Sequence, residues 1–594
     1  MTVEGPIDKA IIMDFLRAGY NITPGALSFI KNKEDPELFA RILLNSFNST
    51  KQKTTITREM LVNMDRAFSN LIKDIPALKT SGGQASPTVP SDGEPTPVNA
   101  SPTTKPAIPA PRPKTATELP ETVQAKPTVL IEKIDPALKQ DVTSVAPATV
   151  EMVVASVPQA PVAADALAPS FTSKSTFIPL AKEHAPQVKV IEDCTAHLKN
   201  DGDFADFLHL FNDRFEKLKA IFKARSDIAR IVDIGDIASM ARKTEEMYIV
   251  GMVVEKKQTK SGNTMLEIDD KTGSINVILS ARNVDHAVLA NIIHDEVLCF
   301  KGFYKDGIFI ANEFFWPDAR RTRRPQLAEE DLSILLISDL HIGSDNHLAD
   351  LWSKFKTWIR GEGTSEKARE MAGKVKYIAI AGDLVDGVGV YPTQEEHLVI
   401  KDVYKQFEKA AEMLRDLPDY IKFIYAPGSH EPVRRALPQP SVPKSYAKCL
   451  YDMGVVMVSD PAVVETHGVK TMLFHGESFI DLSIDIPEIS HTTPELAMQK
   501  LMMSRHLAPS FGKKTELAPD KKDWLVINEI PDILHTGHVH CNGVKNYHGT
   551  WLVNSGCFQD QTDFMKSLGI VPSPGKPNIV SLKDFKLTTL NLTA

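Results

Sequence analysis

The strongest constraint on this chain lies beyond Leu332, where short runs of branched apolar residues alternate with helical stretches. The runs are Ser333–Leu340, Val375–Ala381, Tyr420–Ala426, Val455–Val458, Thr471–Phe474, Ile533–His535 and Trp551–Asn554. Apolar runs of this length, bounded by turn residues, read as strands, and their alternation with helices predicts a mixed α/β sandwich. Five of them run into segments that carry Asp or His: Ser338-Asp339-Leu340-His341, Ala381-Gly382-Asp383-Leu384-Val385-Asp386, Pro427-Gly428-Ser429-His430-Glu431, Phe474-His475-Gly476-Glu477 and His535-Thr536-Gly537-His538-Val539-His540. Sheets of this class place their sites just past the strand ends. Carboxylates and imidazoles delivered together suit divalent transition metals better than magnesium or calcium alone.

The spacing within each segment suggests roles. Asp339 and His341 are two apart, so an extended chain would put both on one face. Asp383 follows a glycine, which allows close backbone approach at a sheet edge, and its carboxylate is placed to bridge two cations. His538 and His540 either face different metals or flank one, and His475 stands alone after its strand. Two ions roughly 3.5–4 Å apart would clamp the attacking and leaving oxygens of a phosphoryl transfer. His430 is then the candidate proton donor to the leaving oxygen, with Asp386 orienting its imidazole. A lone DxH or GD occurs by chance in many chains; the ordered conjunction at five strand ends carries the reading.

The rest of the chain divides by composition. Residues 1–75 show helical spacing, with a start signal at Thr23-Pro24, a helix over Asp35–Asn48 and another beginning near Thr57, predicting a small helical domain. Residues 76–186 form a Pro/Thr/Ala-rich linker: 18 of the 40 prolines fall between Ser81 and Pro186. A segment so poor in aromatics cannot bury enough apolar surface to offset its ordering entropy, so a disordered tether is expected. Residues 187–325 begin with a helical stretch from about Val188 to Asp236. Five strands follow: Tyr248–Val254, Thr264–Asp269, Ser274–Leu279, Val297–Phe303 and Ile308–Asn312, with a short helix between the third and fourth. That order is the layout of an OB-fold barrel. Its aromatics, Phe300, Phe303, Phe309, Phe315 and Trp316, fill a core or interface more often than they stack on bases. Arg320, Arg321, Arg323 and Arg324 read as a solvated linker or, more sharply, as phosphate contacts.

Charge and cysteine usage exclude several classes. The net charge of -8 argues against a broadly basic nucleic-acid coat while leaving room for a local basic groove. Five scattered cysteines with no CxxC pair support neither a disulfide framework nor a zinc ribbon. No apolar run approaches about 20 residues and MTVEGPIDKA lacks a basic signal-peptide start, so a cytoplasmic protein without membrane contact is expected. No paired acidic motifs of a polymerase palm and no lysine-rich nucleotide-binding loop are visible.

The five segments resemble, in order, the DxH, GDxxD, GN-H-D/E, single-His and GHxH motifs of the calcineurin-like metallophosphoesterases. The resemblance implies Asp339, His341, Asp383 and His540 around one metal, Asp383, His475 and His538 around a second, and a catalytic His430. Ser429 stands where that family has an asparagine ligand, and Glu431 where Asp is commoner, so the second metal site is expected to be weaker. The flanks Pro427–Pro440, Ser504–Pro509, Pro531–His540 and Asn554–Thr562 are similar to the small subunits of archaeal D-family DNA polymerases. Taken together, the expectation is a multidomain α+β chain: a small N-terminal helical domain, an OB-fold barrel, and a calcineurin-like α/β sandwich phosphoesterase domain over residues 326–594. The resemblance implies a 3′–5′ proofreading exonuclease with two divalent ions, manganese first among them. Its partners would be a large catalytic polymerase subunit, DNA with a single-stranded or mismatched 3′ end, and a sliding clamp reached through the complex, in a nucleoid-associated setting. The rival expectations are a catalytically weakened scaffold subunit and a stand-alone phosphodiesterase.

Overall fold

Strand-forming runs that are apolar on both faces must be covered on both sides, and the chain meets this demand with four layers. The computed structural model describes residues 177–593 except 201, 241–245, 281–283 and 363–364, together with Asn21–Ile22, Ile30 and Thr55–Ile56. The chain divides into two units, Met1–Asn63 with Lys174–Ala594, and Met64–Ser173. The second unit lies outside the described residues, as do the helices expected over residues 23–75. In the N-terminal stretch the structure describes a parallel pairing of Asn21–Ile22 with Thr55–Ile56.

Two six-stranded sheets form the middle layers. In the first, Val456–Met457, Lys422–Ala426, Val375–Ala381 and Ser333–Ile337 run parallel, and Asn578–Ser581 and Leu587–Thr589 complete the order as antiparallel strands. In the second, the order is Asn542–Tyr547, Thr550–Ser555, Ile533–Thr536, Val469–Leu473, Ala462–Thr466 and Val188–Asp193. Alternation sorts the side chains. Ile334, Leu336 and Ala379 meet Val464, Leu473, Ile533 and Val553 between the sheets. Leu335, Ile337 and Ile378 face outward to helices Ala349–Ile359 and Val403–Arg415, and Met472, Leu534 and Leu552 face helix Pro494–Ser504. The result is a helix–sheet–sheet–helix sandwich.

Five strands ahead of it close into a barrel: Met247–Gln258, Thr264–Asp269, Ser274–Leu279, Val297–Lys305 and Ile308–Phe315, with the first also pairing the fourth. Helix His286–Ala290 lies between the third and fourth strands. The turn Asp270–Gly273 is tied by the Asp270 carboxylate, which accepts from Thr272 N at 2.7 Å and Gly273 N at 3.1 Å. Phe300 and Phe309 are wholly buried in the barrel, so they are core. Trp316 donates to buried Glu296 at 3.2 Å and lies under Lys500 of the sandwich. Glu296 also accepts from Lys500 and Ser504, both at 2.5 Å, in the seam between barrel and sandwich.

Three expectations change here. Val188–Asp193 is a strand, not helical entry: it completes the edge of the second sheet by pairing with Ala462–Thr466, a partner far away in sequence. The helix proper is Phe204–Lys223. The linker expected to reach residue 186 ends earlier, because residues 177–186 pack on the sandwich. Ala181 is buried in its core and accepts at 3.0 Å from Lys376, and Phe177 fills the space beside Gly361 and Gly373. Arg323 is a structural residue and not a solvated one: it binds the carbonyls of Ile530 and Gly549 and the buried Asp532 carboxylate at 2.5 Å.

Helix Phe204–Lys223 is fastened by Arg214, which is fully buried and donates to Asp523 at 2.8 Å and to the Pro509 carbonyl at 2.9 Å. His506 accepts from Ala508 N at 3.0 Å, so its Nε2–H donates to the same carboxylate at 2.9 Å. Burial and the Arg214 charge push the His506 imidazole down to about 4. The unfolded chain binds that proton at an ordinary value near 6.5, so the neutral His506 contributes stability in full above about 6.5 and loses it as pH falls to about 4. Relative to His506→Gln, the wild type should lose on the order of 3 kcal/mol across that window, measured by denaturant unfolding of both proteins at pH 7, 5.5 and 4. A pH-independent difference would contradict it.

Candidate metal centre

The parallel strands of the first sheet end together, and their loops are laced to one another by the backbone. Asp339 N donates to the Gly382 carbonyl at 3.1 Å, His341 N to Asp383 at 3.0 Å, Ile342 N to Leu384 at 3.0 Å, and Asp386 N back to Ile342 at 3.0 Å. From the second sheet, Gly537 N donates to the His475 carbonyl at 2.8 Å. Asp339 and His341 lie past the strand's end, with φ of 53° and 49°, so they do not share an extended face as the spacing suggested. Asp383, His538 and His540 also have positive φ, at 49°, 71° and 57°. Five such non-glycine residues in one place are backbone strain held by the surrounding packing, which is characteristic of functional sites. The glycines of these motifs make room: a Cβ on Gly382 would stand 2.2 Å from His475 Nδ1, and one on Gly537 would stand 2.3 Å from Asp339 Oδ2.

The side chains converge in three groups, one of which, His341, Asp383 and His430, overlaps the other two. Asp339, His341 and His540 bring one ligand atom each within 4.8 Å of one another, and so do Asp383, His475 and His538. Asp383 lies between the groups: its Oδ2 is 3.1 Å from His475 Nε2 and 3.8 Å from His341 Nε2. The Ser429 hydroxyl donates to that same oxygen at 3.2 Å. His430 N donates to Asp383 Oδ1 at 2.9 Å. His535 stays apart, bonded to Ser555 at 3.0 Å and pushed down to about 3 by burial.

The donor set fits divalent cations. His341 Nδ1 faces the Asp386 carboxylate at 2.9 Å and His475 Nδ1 faces the Ala381 carbonyl at 2.9 Å. Each Nδ1 is therefore placed to carry a proton, which leaves Nε2 as the atom that would face a cation. His341 Nε2 meets His540 Nε2 at 3.1 Å, and His540 Nδ1 is buried without a hydrogen-bond partner. The charges respond to this crowding. Burial opposes ionisation of Asp383, but His475 and His430 outweigh it and hold the carboxyl well below its usual range. Burial disfavours charged His475, yet Asp383 holds its imidazole well above the ordinary value. His538, buried beside His475, is pushed down to about 3.

Asp386 divides its work. Its carboxylate orients His341, while its backbone carbonyl holds His430 Nδ1 at 2.7 Å; the carboxylate itself is 3.8 Å from that ring. Gln394 and Gln559, which sequence reasoning passed over, donate to the Asp386 carboxylate at 2.9 and 3.5 Å. Glu431 is the larger omission. Its buried carboxylate accepts from the N–H groups of Asp383 (3.0 Å), Leu384 (2.8 Å), Val385 (3.3 Å) and Gly428 (2.8 Å) and from Tyr425 OH at 2.6 Å. Burial and the nearby Asp383 charge nonetheless push it up to about 7. A glutamate adjoining His430 was the only signal available for it.

The centre lies in a segment that known proteins share. The family of B subunits of DNA polymerases alpha and epsilon matches residues 334–543, which hold every candidate metal ligand and His430. The DNA polymerase II small subunit of Methanothermobacter thermautotrophicus is 39% identical over 404 residues, covering 67% of this chain and 82% of its own length. The chain belongs to the DNA polymerase II small subunits of archaea. The Pyrococcus abyssi member is 40% identical over 385 residues, covering 64% of this chain and 62% of its own length. The Archaeoglobus fulgidus member is 38% identical over 388 residues, covering 65% and 77%. Among the described residues, no helix is long and apolar enough to cross a membrane.

The candidate ligand groups depend on Glu431 for their backbone frame. Glu431→Gln places amide hydrogens against N–H donors, and outer-shell losses of this kind weaken metal binding by roughly 10–100-fold. Calorimetric titration with manganese of the wild type and the variant checks this; equal affinities would show that the frame holds without the carboxylate.

Proposed function

We propose that this chain is the metal-dependent 3′–5′ exonuclease subunit of a two-subunit DNA polymerase, with a calcineurin-like phosphoesterase sandwich behind an OB-fold barrel. The observation that carries the reading is the pair of ligand triplets, Asp339/His341/His540 and Asp383/His475/His538, linked by a third group of His341, Asp383 and His430. The large catalytic partner follows from the relatives' designation as small subunits. DNA with a frayed or mismatched 3′ end is the proposed substrate, and manganese the proposed metal.

When bound, two such ions would neutralise phosphodiester charge and lower the pKa of water toward neutrality. The chain's own residues do the rest. Asp386 and Ala381 fix the tautomers of His341 and His475 so that both present Nε2. The Asp386 carbonyl takes His430 Nδ1–H, which leaves Nε2 as the atom that holds the mobile proton. Burial lowers the His430 imidazole, whereas an anionic phosphodiester beside it favours the charged form. Hydrolysis forms a bond from the water oxygen to phosphorus and breaks the phosphorus–O3′ bond; the departing O3′ takes the proton from His430 Nε2, the attacking water gives up one proton to solvent, and His430 regains its own from solvent.

The assay is manganese-dependent nucleotide release from a 3′-mismatched primer by the full chain. His430→Ala should lower kcat by about 10²–10⁴; equal activity in wild type and variant would sink the assignment. One observation favours a second reading, a weakened scaffold subunit: Ser429 offers a hydroxyl, spent on Asp383, where the phosphoesterase pattern has an amide ligand. Ser429→Asn separates the two. A large rise in activity and metal occupancy supports the weakened reading, and no change shows that serine suffices.

A further inference from the structure

His430 separates the metal groups from a second feature that the reaction has not used. On its inner side its ring meets His341, centroids 4.7 Å apart; on its outer side stands Tyr391, 6.4 Å away and edge-on. Beyond it opens a cavity of about 280 Å³ whose lining includes His430, Val388, Val390, Val433, Arg435 and Tyr446. That volume lies just below the roughly 300–1,000 Å³ of pockets for drug-sized ligands and suits one small planar group.

The walls are built. Gly387 and Gly389 turn the loop over with φ of 70° and 77°, and a Cβ on Gly387 would stand 2.1 Å from the His430 carbonyl. Buried Gln406 fixes that loop by accepting from Gly387 N at 2.8 Å and donating to its carbonyl at 3.0 Å, and Gln394 accepts from Val390 N at 2.9 Å. Tyr446 is backed by Tyr404, with ring centroids 5.3 Å apart and planes 15° from parallel. Arg435 donates to the Val390 carbonyl across the mouth and is otherwise exposed. Val388, in the lining, is 46% exposed, and Tyr391, beside His430, is 41% exposed.

We propose that this cavity seats the nucleoside on the 5′ side of the scissile bond, the one whose 3′ oxygen departs. Its base lies against Tyr446 and Tyr391, and Arg435 meets the phosphate that precedes it. The side is set by chemistry: the group that delivers a proton to O3′ faces the sugar carrying that oxygen, and the cavity opens directly beyond His430. The inference rests on the phosphodiester reading above. It makes Tyr446 and Arg435 determinants of substrate binding on the leaving-group side, a role apart from metal binding.

The test uses the full chain and two fluorescein-labelled single strands, identical except that the penultimate nucleotide is normal in one and abasic in the other. Binding is read by anisotropy without added metal, so no turnover is needed. KM and kcat for nucleotide release with manganese are read separately, and bis(p-nitrophenyl) phosphate serves as a base-free diester. The wild type should bind the normal strand about 5- to 100-fold more tightly, the range for one stacked base. Tyr446→Ala should reduce that preference below about twofold, and Tyr446→Phe should keep it. Arg435→Ala, an exposed change, should weaken both strands alike and flatten the salt dependence by about one phosphate contact. Equal binding of the two strands by wild type, or a full preference surviving Tyr446→Ala, overturns the proposal. Preference intact with neither diester cleaved supports the cavity's role and defeats the exonuclease reading instead.

Discussion

The centre depends on one buried carboxylate that would bind no metal. Glu431 gathers three consecutive N–H groups from residues 383–385, a fourth from Gly428 and the Tyr425 hydroxyl. Those donors belong to loops that leave two neighbouring parallel strands, Val375–Ala381 and Lys422–Ala426. Without a common acceptor, the N–H groups would be buried and unsatisfied, at a cost of about 1–3 kcal/mol each. With it, Asp383 is held in a left-handed conformation between the two ligand triplets, and His430 is brought onto the Asp383 carboxylate. The neighbouring loops are then registered by backbone bonds to the 382–386 segment.

The centre also stores charge. Asp460, buried beside Asp383 and Glu431, is pushed up to about 7, and Glu477, buried beside Asp460, to about 8. Each leaves one carboxylate oxygen without a hydrogen-bond partner. Asp460 does accept the His475 N–H at 2.8 Å, so it contributes to placing a ligand. Left-handed ligands and crowded acids oppose folding, and the packed strands beneath them, apolar on both faces, offset that cost. Cations that bind only the folded centre add their binding free energy to the same side of the balance.

How much of this was legible follows from where each signal resides. Val375–Ala381, Thr264–Asp269 and Ser274–Leu279 were readable to the residue, because each is a continuous or alternating apolar run with turn residues at both ends. That Asp339, His341, Asp383, His430, His475, His538 and His540 would lie near one another was readable for the same reason: their address is the end of such a run. Val188–Asp193 was not, since a short edge strand is defined by its partner Ala462–Thr466 and not by its own pattern. The roles of Glu431, Gln394 and Gln559 were invisible for a related reason. Each is defined by donors or acceptors on another loop, and nothing in the local sequence names them. Arg323 looked like one member of a basic cluster until Asp532 and two carbonyls appeared around it.

Asp386 ties two of the centre's imidazoles together. Its Oδ1 fixes the tautomer of His341, its carbonyl takes His430 Nδ1–H, and its Oδ2 is tied to Gln394. One residue thus orients both imidazoles, which lie edge to face 4.7 Å apart. Gln394 extends the link outward, since it also accepts from Val390 N at the rim of the outer cavity. A displacement of the 387–390 loop would therefore be felt at Asp386 through Gln394 before it reached any metal ligand. A continuous polar chain thus runs from Val390 through Gln394 and Asp386 to His341 and His430.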